Sequence, residues 1–343
     1  MLNPRSWRSI LTTSAKIDYQ EYIYTPADLG DLHVSYDRDI KAHPGVKFGL
    51  ASIDKCVIPA RGGNLIAFVA RPGHGKTSMM ARWAKVAGQD IIADGMAHKQ
   101  CAIYITLEQV AEELEAYFSS NKRYNATDYA WGRAKTKDVE EIARARAGLP
   151  VWIMGHSLKR SKKRLPPLTP EVMYQAILRV EEDYGFEVVI VFVDYVQIVP
   201  MSGQFRSRTE RVDEALVGLK NVAIQAGVPI VVGVQSGRGV DERKWKVPIM
   251  SDCQHTSMIE QTVDKLYGLW RPWKTEKATW GMKHPLSSGQ EIYVPNTPEL
   301  LIIGMMKQRM DQGTFTWLTR FTPQELLLAE LETGITEPPQ AKF

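Results

Sequence analysis

The sequence predicts an α/β fold: a mostly parallel central sheet flanked by helices. Three observations point there. Apolar runs of strand length recur along the chain with continuous rather than alternating hydrophobicity, the mark of strands covered on both faces. Amphipathic helical patterns lie between those runs, giving the strand and helix alternation of a doubly wound domain. The first run leads straight into ARPGHGKTS (70–78), where two glycines flank a histidine just ahead of a lysine and a threonine.

The strands are expected at LIAFVA (65–70), AIYITL (102–107), VWIMG (151–155), VVIVFV (188–193) and PIVVGVQ (229–235), then KLYGLW (265–270), LLIIGMM (300–306) and TFTWLT (314–319). A helix follows the glycine-rich stretch over Met79 to Val86. Thr169 followed by Pro170 marks another helix start, with Val172, Ala176, Ile177 and Val180 facing inward. Ser207 and Glu210 have capping-box spacing, and Val212, Ala215, Leu216, Leu219, Ala223 and Ala226 form one apolar stripe ending before Gly227. A helix over 208–226 results. Two stretches break the pattern: the basic loop LKRSKKRLPP (158–167) and a long polar insertion over 271–299, both expected at the surface. Lys159, Arg160, Lys162, Lys163 and Arg164 read as a solvated charged loop, and Trp273 and Trp280 as parts of a packed surface hairpin. After Phe321 a short helix is expected near Pro323 to Leu331.

Composition bounds the rest. With 343 residues and 44% hydrophobic content the chain can bury a full core, and a net charge of +4 permits an acidic partner without requiring one. Cys56, Cys101 and Cys253 lie far apart and form no C-x-x-C pair, which suggests a reducing compartment, the cytoplasm. The longest apolar run ends at Asp194, far short of the roughly 20 residues that cross a bilayer, so no membrane association is expected. The first 16 residues carry Arg5, Arg8 and Lys16 with no acid and read as an ordered or partner-docking arm rather than a transit segment.

A phosphate site needs backbone N–H groups converging on an anion, a helix N-terminus behind them, a lysine for the outer phosphates and a hydroxyl for magnesium. Arg71, Pro72, Gly73, His74, Gly75, Lys76, Thr77 and Ser78 supply these, with Ala70 where the common pattern has glycine. His74 itself reads as a solvated filler of the loop. Asp194, ending VVIVFVD, is placed to hold a magnesium-bound water with Thr77, which makes ATP with Mg2+ the expected ligand pair. Glu108, following AIYITL, stands where a water-orienting base would, and Gln235, ending PIVVGVQ, where an amide could sense a terminal phosphate.

With these residues assembled, the chain resembles the DnaB-type replicative helicases among the RecA-like P-loop ATPases. The resemblance rests on ARPGHGKT (70–77), ITLE (105–108), VFVDYVQIV (191–199), RTERVDEALVGLKNVAIQAGVPIVVGVQSGR (208–238), SD with IEQ (251–261) and MKQR (306–309). Ala70 then fits, because that family's phosphate loop tends to begin Ala-Arg-Pro. The resemblance implies a homo-oligomeric ring, usually a hexamer, with ATP sandwiched between subunits. It implies that Arg309 enters the neighbouring site as an arginine finger, assisted by Lys307. It also implies a motor that translocates on single-stranded DNA during replication, with a primase or loader as a further partner. Arg206, Arg208, Arg238, Arg243, Lys244 and Lys246 are the candidate contacts to the strand. The expected division is an N-terminal arm for subunit packing (1–45), a motor domain (46–321) and a C-terminal tail (322–343), with TPADLGDLHVSYDRDI (25–40) as the helix candidate in the arm. Two departures stand out. Only about 45 residues precede the core, where the family carries a larger helical domain, and SDCQHTSMIEQ puts Gln254, His255, Thr256 and Ser257 where the family tends to show Arg-Glu-Ser-Gly. An ATP-gated assembly or loader scaffold without processive unwinding is the alternative these departures favour.

Overall fold

The computed structural model describes residues 23–159, 166–243, 245–254, 258–275, 282–285, 291–294, 296–310 and 313–331. The chain divides into two units, 1–45 and 46–343. The expectations for residues 1–16, for Arg160 to Arg164, and for Lys244, His255 to Ser257 and Trp280 lie outside the described residues. In the first unit helix α1 spans Pro26–Ala42, started by Thr25, whose side chain accepts from the Asp28 N–H while the Asp28 carboxylate accepts from the Thr25 N–H. The helix buries nothing within its unit. Leu29, Leu32 and Tyr36 line one exposed face at helical spacing.

The second unit begins with α2 (Ala51–Asp54), β1 (Leu65–Ala70), α3 (Lys76–Ala93), β2 (Gln100–Thr106), α4 (Ala111–Phe118), α5 (Ala126–Ala130), α6 (Thr136–Arg146) and β3 (Val151–Met154). It continues with α7 (Pro170–Tyr184), β4 (Glu187–Asp194), α8 (Arg208–Gln225), β5 (Ile230–Gln235), α9 (Ile259–Thr262) and β6 (Lys265–Trp270). The last part holds β7 (Met282–Pro285), β8 (Glu291–Val294), β9 (Leu300–Gln308), β10 (Phe315–Thr322) and β11 (Leu327–Glu330). Strands β7 and β8 form a separate antiparallel hairpin inside the polar insertion, and the other nine make one sheet in the order β11-β10-β9-β6-β1-β5-β4-β2-β3. From β3 to β6 all neighbours are parallel; β9, β10 and β11 then turn back on one another.

Alternation along β1 sets the two cores. Leu65, Ala67 and Val69 face the side covered by α7 and α8, among Ile177, Leu216 and Leu219; Ile66, Phe68 and Ala70 face Met79, Met80 and Trp83 of α3. Both faces are apolar, so the strands read as unbroken hydrophobic runs. Helix α8 starts as expected on Ser207, whose hydroxyl accepts from the Glu210 N–H, but the Glu210 carboxylate accepts from the Arg206 N–H instead of closing the box on Ser207.

The tail departs from expectation. No helix forms over 323–331. Glu325 donates back to Thr322 to close a turn, Leu326 takes a left-handed φ of 55° and is buried, and β11 then pairs with β10. Glu330 accepts from the Ser52 backbone N–H at 2.9 Å and from its hydroxyl at 2.8 Å, so the sheet runs past the Phe321 boundary. The helix pattern misleads because Leu326 is buried, and Leu328 partly buried, by turn and strand geometry rather than by one helical face. Among the described residues, no helix is long and apolar enough to cross a membrane.

Trp83 anchors α3 against the sheet. Its ring lies 5.1 Å from Phe48 and edge-on to Phe68 and Phe192, and its indole N–H donates to the Lys47 carbonyl at 2.6 Å. Trp83→Ala is expected to cost about 3–5 kcal/mol in urea unfolding, the range for emptying a fully packed aromatic site. A loss below about 1 kcal/mol would contradict this packing.

Candidate nucleotide and strand-binding site

Sheet order turns four separated strand ends into one row. Strands β1, β5, β4 and β2 are consecutive neighbours, and their C-terminal ends carry the phosphate loop, Gln235, Asp194 and Glu108 in that order. Register fixes the levels: Ala70 pairs with Gln235, and Thr106 with Asp194. Glu108 lies in the bend just beyond β2, not on the strand, and is exposed. Such a carboxyl edge is where open α/β sheets bind ligands.

The loop between β1 and α3 turns on Gly73 and Gly75, with φ of 79° and 88°, and α3 starts directly at Lys76. The first turn of a helix leaves its N–H groups without intrahelical acceptors, which suits an anion. Lys76 Nζ stands 3.9 Å from Asp194 Oδ1 and 4.0 Å above the Tyr195 ring. Burial lowers the Lys76 pKa, against the opposing pull of Asp194 and Glu108. Asp194 is buried, and its two oxygens differ. Oδ2 accepts from the Tyr104 hydroxyl at 3.2 Å, whereas Oδ1 has no hydrogen-bond partner. The Tyr104 hydroxyl also lies 3.4 Å from the Thr77 carbonyl, and burial, then the Asp194 charge, push its pKa well up, keeping it a donor. Gly233 on β5 leaves the space beneath: a Cβ there would come within 3.0 Å of Lys76 Cδ and 3.1 Å of Asp194 Oδ1.

The bare Oδ1 of Asp194 fits magnesium, which takes one or two carboxylates and completes its shell with water and substrate phosphates. Among the described residues there is no cluster of three or more His, Cys, Asp or Glu to hold a metal otherwise.

His74 is not a solvated filler. It is buried, its Nδ1 accepts from the Arg271 backbone N–H at 3.0 Å, and burial, followed by the Arg271 charge, lowers its pKa to about 4. That bond holds the phosphate loop to the end of β6. Arg71 turns the other way, donating to the Ser236 carbonyl at 3.1 Å and pairing with Asp241 at 3.1 Å. The loop is thus fastened on both flanks, with Pro72 and Gly73 exposed between them.

Lys307 and Arg309 stand at the other end of the sheet. Gln308 pairs with Lys265, and Lys265 with Ile66, so the end of β9 is level with the start of β1. Ala70, where the phosphate loop departs, is four residues up, roughly 13 Å at strand rise. Arg309 Nε lies 3.2 Å from Asp264, and its Nη2 donates to the Gln261 carbonyl at 3.0 Å; Lys307 donates to the Glu260 carbonyl. Burial and then Arg309 lower the Lys307 pKa. Neither side chain meets its own phosphate loop.

The candidate strand contacts return to the C-terminal edge, on the segments after β4 and β5. Arg206, Arg208 and Arg238 are exposed, and Lys246 is half-buried. Arg243 departs from expectation. Its guanidinium is paired with Asp252 and donates to the Val247 carbonyl, so it fastens the loop instead of presenting a free cation.

A family model for the DnaB-like helicase C-terminal domain matches residues 45–316. The chain belongs to that family. Among its relatives, the replicative DNA helicase DnaC of Bacillus subtilis (strain 168) is 27% identical over 243 residues, covering 68% of this chain and 49% of that protein. The replicative DNA helicase DnaB of Helicobacter pylori (strain ATCC 700392 / 26695) is 26% identical over 228 residues, covering 66% and 44%. The chain spans about half the length of the curated relatives it matches. Among solved structures, a separately solved ATPase domain superposes with a TM-score of 0.71 at 19% identity, over 90% of this chain and 100% of that one. A DnaB-like replicative helicase described with its primase interactions gives 0.68 at 18%, over 88% and 66%. The fold is that of the RecA-like helicase ATPase domains.

Within the DnaB-like frame, sequence reasoning finds the charged residues and misses their supports. Tyr104, Gly233, Gln197 and Asp264 are all buried or on strands, and each leaves a faint sign: a hydroxyl-tipped aromatic in CAIYIT, a glycine breaking IVVGVQ, a lone amide in YVQIV, an acid before KLYGLW.

Because His74 is neutral when folded, the unfolded chain binds the extra proton between its ordinary value of 6.5 and about 4. Stability is therefore full above pH 6.5 and falls as pH drops through that window, by up to about 3 kcal/mol at its lower end. His74→Asn, which keeps an acceptor, is expected to flatten this part of the stability profile in urea melts at stepped pH. An unchanged slope would remove the assignment.

Proposed function

We propose that the chain is the motor of an ATP-driven, ring-forming DNA helicase that translocates on single-stranded DNA in replication, with hexamer the expected ring. One observation supports it above the others: the Lys76 and Asp194 edge and the Arg309 end lie at opposite ends of one sheet, so Arg309 can serve such an edge only in a neighbouring copy. Lys76 and the α3 N-terminus bind and neutralise the outer phosphates of ATP. Magnesium held through Thr77 and Asp194 offsets charge on the phosphate oxygens when bound. Glu108 orients the attacking water, and Gln235 hydrogen-bonds the terminal phosphate. Arg309, with Lys307 beside it, enters from the neighbouring subunit and stabilises the charge developing on the transferred group, a contribution on the order of 10³ to 10⁵ in rate. The exposed stripe of Leu29, Leu32 and Tyr36 on α1 is the arm's packing face on an adjacent subunit. Arg206, Arg208, Arg238 and Lys246 contact strand phosphates, so affinity falls with salt. Primase is the partner described for one structural neighbour; a primase or loader is the partner class proposed here, in the reducing cytoplasm.

A second reading is an ATP-gated DNA-binding scaffold without processive unwinding. The pairing of Arg243 with Asp252 and the Gln254 to Ser257 substitution favour it, because both reduce the cations that loop offers a strand.

Complementation between variants tests the shared site. Arg309→Ala and Lys76→Ala are each expected to hydrolyse ATP about 10³-fold or more below the parent. Their mixture should regain activity, because some interfaces pair an intact phosphate loop with an intact Arg309. Parent-like hydrolysis by Arg309→Ala alone would end the finger assignment, and no recovery on mixing would end the shared site. A forked-duplex assay on the parent separates the two readings: strand-stimulated hydrolysis without displacement selects the scaffold.

A further inference from the structure

Gln197 lies in the turn after β4, three residues from Asp194, and its side chain is fully buried. Its Oε1 accepts from the Gln235 N–H at 3.1 Å, and its Nε2 donates to the Gln254 carbonyl at 3.1 Å and lies 3.4 Å from the Gln235 carbonyl. One acceptor and two donors on a single planar group is what a primary amide offers. The partners also fix its orientation, since a flipped amide would set N–H against N–H and oxygen against oxygen. Its own carbonyl accepts from Arg211 of α8 at 2.7 Å, which ties the turn to a packed helix.

The two residues it joins are the two ends of one excursion. The chain leaves the sheet at Gln235 and returns at Gln254, where the Gln254 N–H donates to the Gln235 carbonyl at 2.9 Å, Ser236 bridges Cys253, and the Gly237 N–H donates to the Asp252 carbonyl at 2.7 Å. This loop bears the exposed Arg238. It is also stiff: Asp252 accepts from the Ile249 N–H at 2.7 Å and pairs with Arg243, and Val240 and Val247 are buried. A push on such a loop is transmitted to its base. From the phosphate side, Arg71 grips the same base through Ser236 and Asp241.

We propose that Gln197 is a positioning residue that locks the Gln235 end of β5 to the returning strand of this loop, so that a nucleotide at Gln235 and single-stranded DNA on the loop bind with mutual dependence. The inference rests on the function proposed above. Sliding Gln254 against Gln235 breaks a bond to a fully buried amide, and an unsatisfied buried polar group is costly. The junction therefore favours two discrete arrangements over a continuum, and each ligand biases which one is held. Coupling of this kind is reciprocal, so it is read equally from either ligand.

The test is a linkage measurement on the full chain. Binding of a fluorescent oligo(dT) is measured by anisotropy with a non-hydrolysable ATP analogue and with ADP. Binding of the analogue is measured with and without oligo(dT). The parent is expected to hold the strand about 10-fold more tightly with the analogue than with ADP. Gln197→Met keeps the length and loses the hydrogen bonds; its ratio is expected to fall to within about 2-fold of unity while each separate affinity stays within about 3-fold of the parent's. Gln197→Glu, which keeps the acceptor for Gln235 and loses both donors, should behave likewise. A Gln197→Met protein that binds both ligands and keeps the parental ratio overturns the proposal. Hydrogen exchange in the parent needs no variant: the Gln235 and Gln254 amides should slow together with either ligand, and a response to one ligand alone also overturns it. A parent that binds the strand identically in both nucleotide states overturns it too, whereas a parent that binds no strand would sink the underlying function.

Discussion

A buried carboxylate with one bare oxygen, next to a largely buried ammonium, is the arrangement on which the rest of this structure depends. Placing Asp194 and Lys76 out of water is costly unless each finds a partner, and at 3.9 Å they compensate one another only in part. Tyr104 holds one carboxylate oxygen, Tyr195 lies under the ammonium, and Gly233 keeps the space between β5 and the pair unfilled. The site is therefore shaped around groups that the protein itself does not supply. The unbroken apolar strands on either side make this possible, because they exclude water from the base of the site and leave only its C-terminal rim open.

Antiparallel pairing of β9 with β6 has a consequence for the cations at the end of β9. Because β6 is parallel to β1, a chain that runs back along β6 must end at the edge opposite the phosphate loop. Lys307 and Arg309 are directed away from their own Lys76 by topology, whatever rotamers they take. The same topology puts them beside α9, which closes the segment that begins at Gln235.

Much of this is legible in the sequence, and the boundary between legible and hidden is physical. All eight strands expected from apolar runs are present, as are the helices begun by Thr169 and Ser207, because burial on both faces and side-chain caps leave local marks. Lys76, Asp194, Glu108 and Gln235 can be named as strand ends, yet only the order β1-β5-β4-β2 makes them neighbours, and strand order is not a local property. His74 misleads because a polar residue in a glycine loop looks solvated until Arg271, distant in sequence, is seen donating to it. The strand Leu327–Glu330 reads as helix because Ser52, which holds its end, is remote in sequence, and the left-handed turn at Leu326 that folds it back on β10 has no glycine to mark it. Arg243 reads as a free cation because its partner Asp252 is reached only after the loop folds back.

The anchorage of Arg309, the proposed finger, bears on how readily it can move. Asp264 is buried and accepts from the Leu65 N–H at 2.7 Å and from Lys220 at 2.6 Å, besides its contact with Arg309. The Arg309 side chain is 51% exposed, and an ion pair that wet contributes at most about 1 kcal/mol. If Arg309 swings away, Asp264 keeps a partly buried cation and a backbone donor, so its charge stays compensated and the core is undisturbed. The Gln261 carbonyl at the exposed end of α9 can turn to water. Departure from the resting position is thus cheap, while Lys220 and Leu65 hold the platform in place for its return. A cation that is retained loosely over a firmly held carboxylate is suited to being lent to a neighbour and recovered.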